Sequence, residues 1–126
     1  MNTHAINWFE IPVTDFDRAK KFYQSIYDFE MPETKMDEVR MGFFMHDMEN
    51  GGRGGAIVHH PNLMKPGKMG TLVYLNGEPD LNTILERVEV NGGKVLHQKS
   101  LIADNMGYWA MFEDTEGNYV GLHSMQ

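Results

Sequence analysis

The chain has 126 residues, 41% hydrophobic and 23% charged, with a formal net charge of −7 and no cysteine. That length and balance suit one globular domain, and the missing cysteines exclude a disulfide framework, a thiolate metal site and a thiol nucleophile. An acidic surface repels phosphate backbones and attracts cations, so a nucleic-acid partner is not expected and a cationic small molecule is favoured.

The opening "MNTHAINWFE" lacks the basic start and apolar run of a signal peptide, and no segment approaches the ~20 apolar residues of a membrane span. A cytoplasmic location without a membrane partner is therefore expected. The first strand is predicted over about Ala5–Val13. Alternation puts Ile6, Trp8 and Glu10 on one face and Phe9, Ile11 and Val13 on the other. Thr14 or Asp15 caps a helix whose stripe is Phe16, Ala19, Phe22, Tyr23 and Ile26. That stripe covers the Phe9/Ile11/Val13 face, leaving Trp8 and Glu10 uncovered.

Short strands follow near Met31–Met36, Val39–His46 and Gly55–His60, then a loop, "HHPNLMKPGKMG". The glycine-rich "ENGGRGGA" does not open a helix and lacks a G-K-[ST] ending, so it reads as a turn and not a phosphate cradle. A strand at Gly70–Asn76 leads into a second helix, capped at Asp80, with stripe Leu81, Ile84, Leu85 and Val88 and a stop at "NGG". Three more strands are predicted: Lys94–His97 with an extension to about Ile102, Gly107–Glu113, and Tyr119–Ser124.

The order strand, helix, three strands thus occurs twice. The expected fold is α+β: a single domain over 4–125, made of paired βαβββ modules at about 4–61 and 69–125. Together they would form a curved eight-stranded mixed sheet with helices on the convex side and a concave cleft. Trp8 and Tyr119 are the aromatics that alternation turns toward the cleft, where they can stack on a flat ligand.

"FEIPVTDFDRAKKFY" resembles the opening of the vicinal oxygen chelate superfamily, which includes glyoxalase I, extradiol dioxygenases and bleomycin resistance proteins. "MFEDTEGNYVGLH" is similar to its closing "D-P-x-G-N-x-x-x-L" signature, with Thr115 in place of the usual proline. The resemblance implies this fold over essentially the whole chain, and a homodimer. In metal-dependent members, four His, Gln or Glu side chains converge on the concave face. Carried over, those positions fall on Trp8, Val58, Thr71 and Gly121, with a one-residue slip replacing Val58 by His59. None of the four is a normal ligand, so no metal cofactor is expected.

Moving two residues along each strand gives Glu10, His60, Val73 and His123. The two histidines and the carboxylate resemble a facial-triad donor set, the alternative divalent-metal site. The expected function is metal-independent binding or sequestration of a small, cationic or aromatic molecule in a cleft that includes Trp8, Glu10, Val58, Thr71, Tyr119 and Gly121. The alternative is a lyase, isomerase or dioxygenase-type enzyme using Glu10 with His60 and His123.

Overall fold

A computed structural model describes residues 4–45, 47 and 49–126. Strand β1 (Phe9–Pro12) runs into helix α1 (Phe16–Tyr27). Asp15 is the cap, its carboxylate accepting the Arg18 N–H at 3.1 Å. The helix ends at Asp28, which takes the left-handed conformation and returns its N–H to the Gln24 carbonyl. The predicted stripe is buried along its whole length.

Strands β2 (Glu33–Met36), β3 (Val39–Phe43) and β4 (Gly55–His59) complete the first module. The predicted end of β3, His46, lies outside the described residues. The second module begins with β5 (Val73–Asn76), shorter than predicted, and then α2 (Asn82–Leu85). α2 is a single turn where a longer helix is predicted. The chain beyond it tightens through Arg87 N–H to Ile84 O and Val88 N–H to Leu85 O, reaching a 3-10 turn at Glu89–Asn91. All four stripe residues, Leu81, Ile84, Leu85 and Val88, are nevertheless buried. Packing, not helix length, fixes their positions. Strands β6 (Lys94–Ala103), β7 (Gly107–Glu113) and β8 (Tyr119–Ser124) follow the predicted bounds closely.

The strands form two four-stranded mixed sheets, ordered β1-β4-β3-β2 and β5-β8-β7-β6, instead of the single eight-stranded ladder expected. The facing edges explain the break. Pro12 has no N–H to donate, and its carbonyl accepts Asn118 Nδ2 at 2.7 Å. On β5, the Asn76 carbonyl accepts the Tyr27 hydroxyl at 2.8 Å. Side chains occupy the acceptors that a continuous ladder would use.

One core spans both modules, joining Ile11, Val13 and Ile57 to Leu75, Phe112 and Leu122 through the α1 stripe. The opposite faces of the two sheets are left for function.

Candidate functional site

The ladders repeat with a fixed relation between modules. Core residues Ile11 and Ile57 pair in the first, Leu75 and Leu122 in the second. The turns agree: Val13 N–H bonds Val58 O, and Gly77 N–H bonds His123 O. By this relation Trp8 corresponds to Leu72, Glu10 to Tyr74, Ala56 to Gly121, and Val58 to His123. The sequence-based alignment is therefore off by one residue at Thr71 and by two at Val58. Thr71 is exposed and lies before β5, while Val58 is buried between Pro12 and Met41.

On the first sheet, Glu10, Ala56 and Phe43 lie in one cross-strand row. The Trp8 indole N–H donates to the Glu10 carboxylate at 3.2 Å, and its ring lies 6.1 Å from that of Phe43. Both Trp8 and Glu10 are exposed. This carboxylate is solvated and hydrogen-bonded, and nothing encloses it in a dry site where proton abstraction would be favoured.

On the second sheet, Tyr74, Gly121 and Met111 form one row and Asn76, His123 and Trp109 the next. A Cβ on Gly121 would sit 2.5 Å from the Tyr74 ring, so that ring lies directly over the glycine. Trp109 stacks on His97 at 3.9 Å and 14°, and His97 Nε2 is fixed by Ser100 Oγ at 3.0 Å. His123 Nε2 donates to the Met106 carbonyl at 2.8 Å, which places a proton on that nitrogen. Tyr74, Asn76, Glu78, Ile102, Trp109 and His123 line a cavity of about 610 Å³, within the range of small-ligand sites. Glu78 is held at its rim by the Met125 N–H, at 3.0 and 3.1 Å from its two oxygens.

Of the sequence-predicted residues, His123 lines this cavity and Gly121 lies beneath its Tyr74 wall. Tyr119 shares their strand face but meets Lys68 instead, the ammonium 5.8 Å from the ring. His60 lines a separate cavity of about 280 Å³ with Thr14 and Met64, where its Nδ1 is buried with no hydrogen-bond partner among the described residues. Glu10, His60 and His123 are not brought together, and no group of three or more His, Asp or Glu side chains is placed to hold a metal among the described residues. The structural quartet, Trp8, Ala56, Leu72 and Gly121, offers one indole N–H, a donor already engaged with Glu10. That set does not fit a divalent cation, which needs several nitrogen or oxygen lone pairs.

A family model described as the glyoxalase/bleomycin resistance protein/dioxygenase superfamily matches residues 5–122. The chain belongs to that superfamily. A relative, a glyoxylase-like domain-containing protein of Didymella fabae, is 30% identical over 121 residues, 90% of this chain and 88% of its own. A glyoxalase/bleomycin resistance protein of Albidiferax ferrireducens shares the fold at 14% identity and TM-score 0.71, covering 98% of this chain and 100% of that one. An antibiotic binding protein from a Streptomyces species gives 22% and 0.66, covering 100% and 99%. A glyoxalase I variant from Zea mays gives 16% and 0.68 over 94% of this chain, which spans 45% of the maize chain.

Tyr74, Glu78 and Ile102 escaped sequence reading. The available signal was the module repeat: Glu10 and Tyr74 are equivalents, so a cleft that claims one must claim the other.

Proposed function

We propose that this superfamily member is a metal-independent binding protein for a small, flat molecule bearing a cationic nitrogen, held on the concave face of the second sheet. The observation that carries the reading is the Tyr74 ring lying over Gly121, at a position where the family resemblance implies a metal ligand. An aromatic surface stands in place of a Lewis-acid site. Trp109, backed by His97, supplies a second ring, and rings of this kind attract flat and cationic groups. Glu78 provides a fixed carboxylate, and the net charge of −7 favours the same ligand class. A fold neighbour described as an antibiotic binding protein is consistent with sequestration.

The test uses a Trp8→Phe background, so that Trp109 is the sole tryptophan, and titrates N-methylquinolinium against tryptophan fluorescence. Saturable quenching is expected, unchanged by EDTA and weakened about tenfold by Glu78→Gln. Absence of quenching, or its loss on chelation, sinks the reading. Elemental analysis of untagged protein is expected to find no stoichiometric zinc, nickel, iron or manganese. One equivalent, lost in a His60→Ala/His123→Ala double variant, restores the enzyme alternative.

A homodimer is proposed as well. Leu101, Ile102, Met106 and Met125 are exposed, and the outer strands β2 and β6 present open edges that are commonly covered. Light scattering at micromolar concentration is expected to give twice 14.5 kDa; a monomer mass rejects it.

A further inference from the structure

A second cavity, of about 700 Å³, opens where the two sheets part between β1 and β5. Its wall is aromatic. The Phe44 ring is surrounded by Phe9 at 5.7 Å, Tyr23 at 5.2 Å, and Tyr27 and Phe29 at 6.4 Å, with Phe29 stacked on it at 18°. Phe9, Tyr27, Phe29 and Phe44 are each half-buried and line the cavity. The rings hold one another in place, and Tyr27 is tied further by its hydroxyl donating to Asn76 O. A preformed wall of this kind costs little ordering when a ligand enters.

The charge of this cavity runs against that of the chain. The sequence carries 18 Asp and Glu against 11 Lys and Arg, yet among the described residues no acid lines the cavity, whereas Arg53 and His4 do. Arg18, Lys20, Arg40 and Lys99 are engaged with carboxylates elsewhere. Among the described residues, Arg53 donates only long bonds, 3.3 and 3.4 Å, to the carbonyls of Gly51 and Gly52. Its guanidinium is a planar donor fork with no ion pair among the described residues, the geometry that takes a carboxylate in two parallel bonds.

We propose that this seam cavity is a distinct binding site for an aromatic carboxylate, with the ring among Phe9, Phe29 and Phe44 and the carboxylate on Arg53. It does not depend on the reading of the first cavity, and it selects the opposite charge. The two cavities share Tyr74, Leu75 and Asn76, so the diagnostic variants are those that touch one cavity alone.

Isothermal titration of the full chain with naphthalene-2-acetate, and with 2-(2-naphthyl)ethylamine as its cationic counterpart, tests the assignment. The acid is expected to bind one per chain and the amine not to displace it. Arg53→Gln, at an exposed position, is expected to weaken the acid about tenfold or more. Phe44→Leu is expected to weaken it too, with thermal melting used to confirm a folded variant, and Trp109→Phe to leave it unchanged. No saturable binding of the acid at millimolar concentration overturns the proposal. So does binding indifferent to Arg53→Gln, or abolished by Trp109→Phe, which moves the ligand to the first cavity.

Discussion

Replacing Phe22 by alanine is expected to cost about 3–5 kcal/mol of folding stability, the range for emptying a buried aromatic site. Phe22 is 1% exposed, and its ring lies 5.0 Å from Tyr23 and 5.9 Å from Phe112. It joins the helix of the first module to strand β7 of the second, and Gly93 is kept free of a side chain beneath it: a Cβ there would meet the ring at 2.8 Å. The hole has few ways to collapse, because it is bounded by elements from both modules. Phe9→Ala, on the face predicted to pack under α1, is expected to cost less. Phe9 does pack against the core, yet it is only half-buried and borders the seam cavity. Trp8→Ala, at a residue 40% exposed, is expected to cost no more than about 1–2 kcal/mol. Urea denaturation of the three variants measures the order. A Trp8→Ala loss as large as that of Phe22→Ala would remove Trp8 from the surface and the concave face with it.

The fold was legible because its signals are local. Alternation in "FEIPV" and helical spacing in "FDRAKKFYQSI" each select one face, and both faces pack against the core where the patterns put them, with Phe9 only half-buried. The closing strands Gly107–Glu113 and Tyr119–Ser124, separated by the turn residues of "DTEGN", match to the residue. What failed was helix length and sheet continuity. The Leu81–Val88 stripe is satisfied by successive tight turns as well as by a regular helix. Closure of the β1 and β5 edges depends on Asn118 and Tyr27, which are distant in sequence from the carbonyls they occupy.

The site was less legible for a related reason. Matching "GGAIVHH" to "GNYVGLH" aligned sequence letters, but the pairing of Ile57 with Ile11 and of Leu122 with Leu75 shifts the match by two residues. In a strand, a shift of two keeps the face and changes the row. Neither Val58 nor Ala56 has a side-chain donor, so the shift changes the residue at this position without adding a ligand atom. The histidine set did not survive as a cluster: His123 and Glu10 keep their faces, while His60 lies beyond β4 in a different cavity. Tyr74 gave no local signal, because a tyrosine alternating in a short strand reads as ordinary strand composition; only the module repeat points to it.

The closing signature also has a structural role, and Glu116→Ala is expected to cost about 2–4 kcal/mol as a result, on the scale of breaking a desolvated ion pair. The Glu116 side chain has no accessible surface, although its partner Arg18 is 53% exposed, which limits the effect. Its Oε1 accepts the N–H groups of Thr14 and Asp15 at 2.9 and 2.7 Å, and its Oε2 accepts Arg18 Nε at 2.7 Å and the Thr115 hydroxyl at 3.1 Å. One carboxylate thus anchors the start of α1 to the loop before β8. Burial pushes this carboxyl up, but Arg18, the two backbone N–H groups and Thr115 together hold it below its ordinary value of 4.5. A lowered folded value means the stabilisation is complete above about pH 4.5 and is lost as pH falls through the folded value. Neighbouring Asp114 works in the opposite sense. Burial raises it despite donors from Asn118, Tyr23 and the Glu116 N–H, so its contribution is present below its ordinary value and lost as pH rises through the raised one. Glu116→Gln keeps one acceptor for the helix N–H groups but sets an amide against Arg18. It is expected to lower the melting temperature at pH 7 and to flatten the acid limb between about pH 5 and 3, since the titrating group is gone. Thermal melts of wild type and variant across that range decide the matter. Parallel acid limbs would show that Glu116 does not carry the pH dependence.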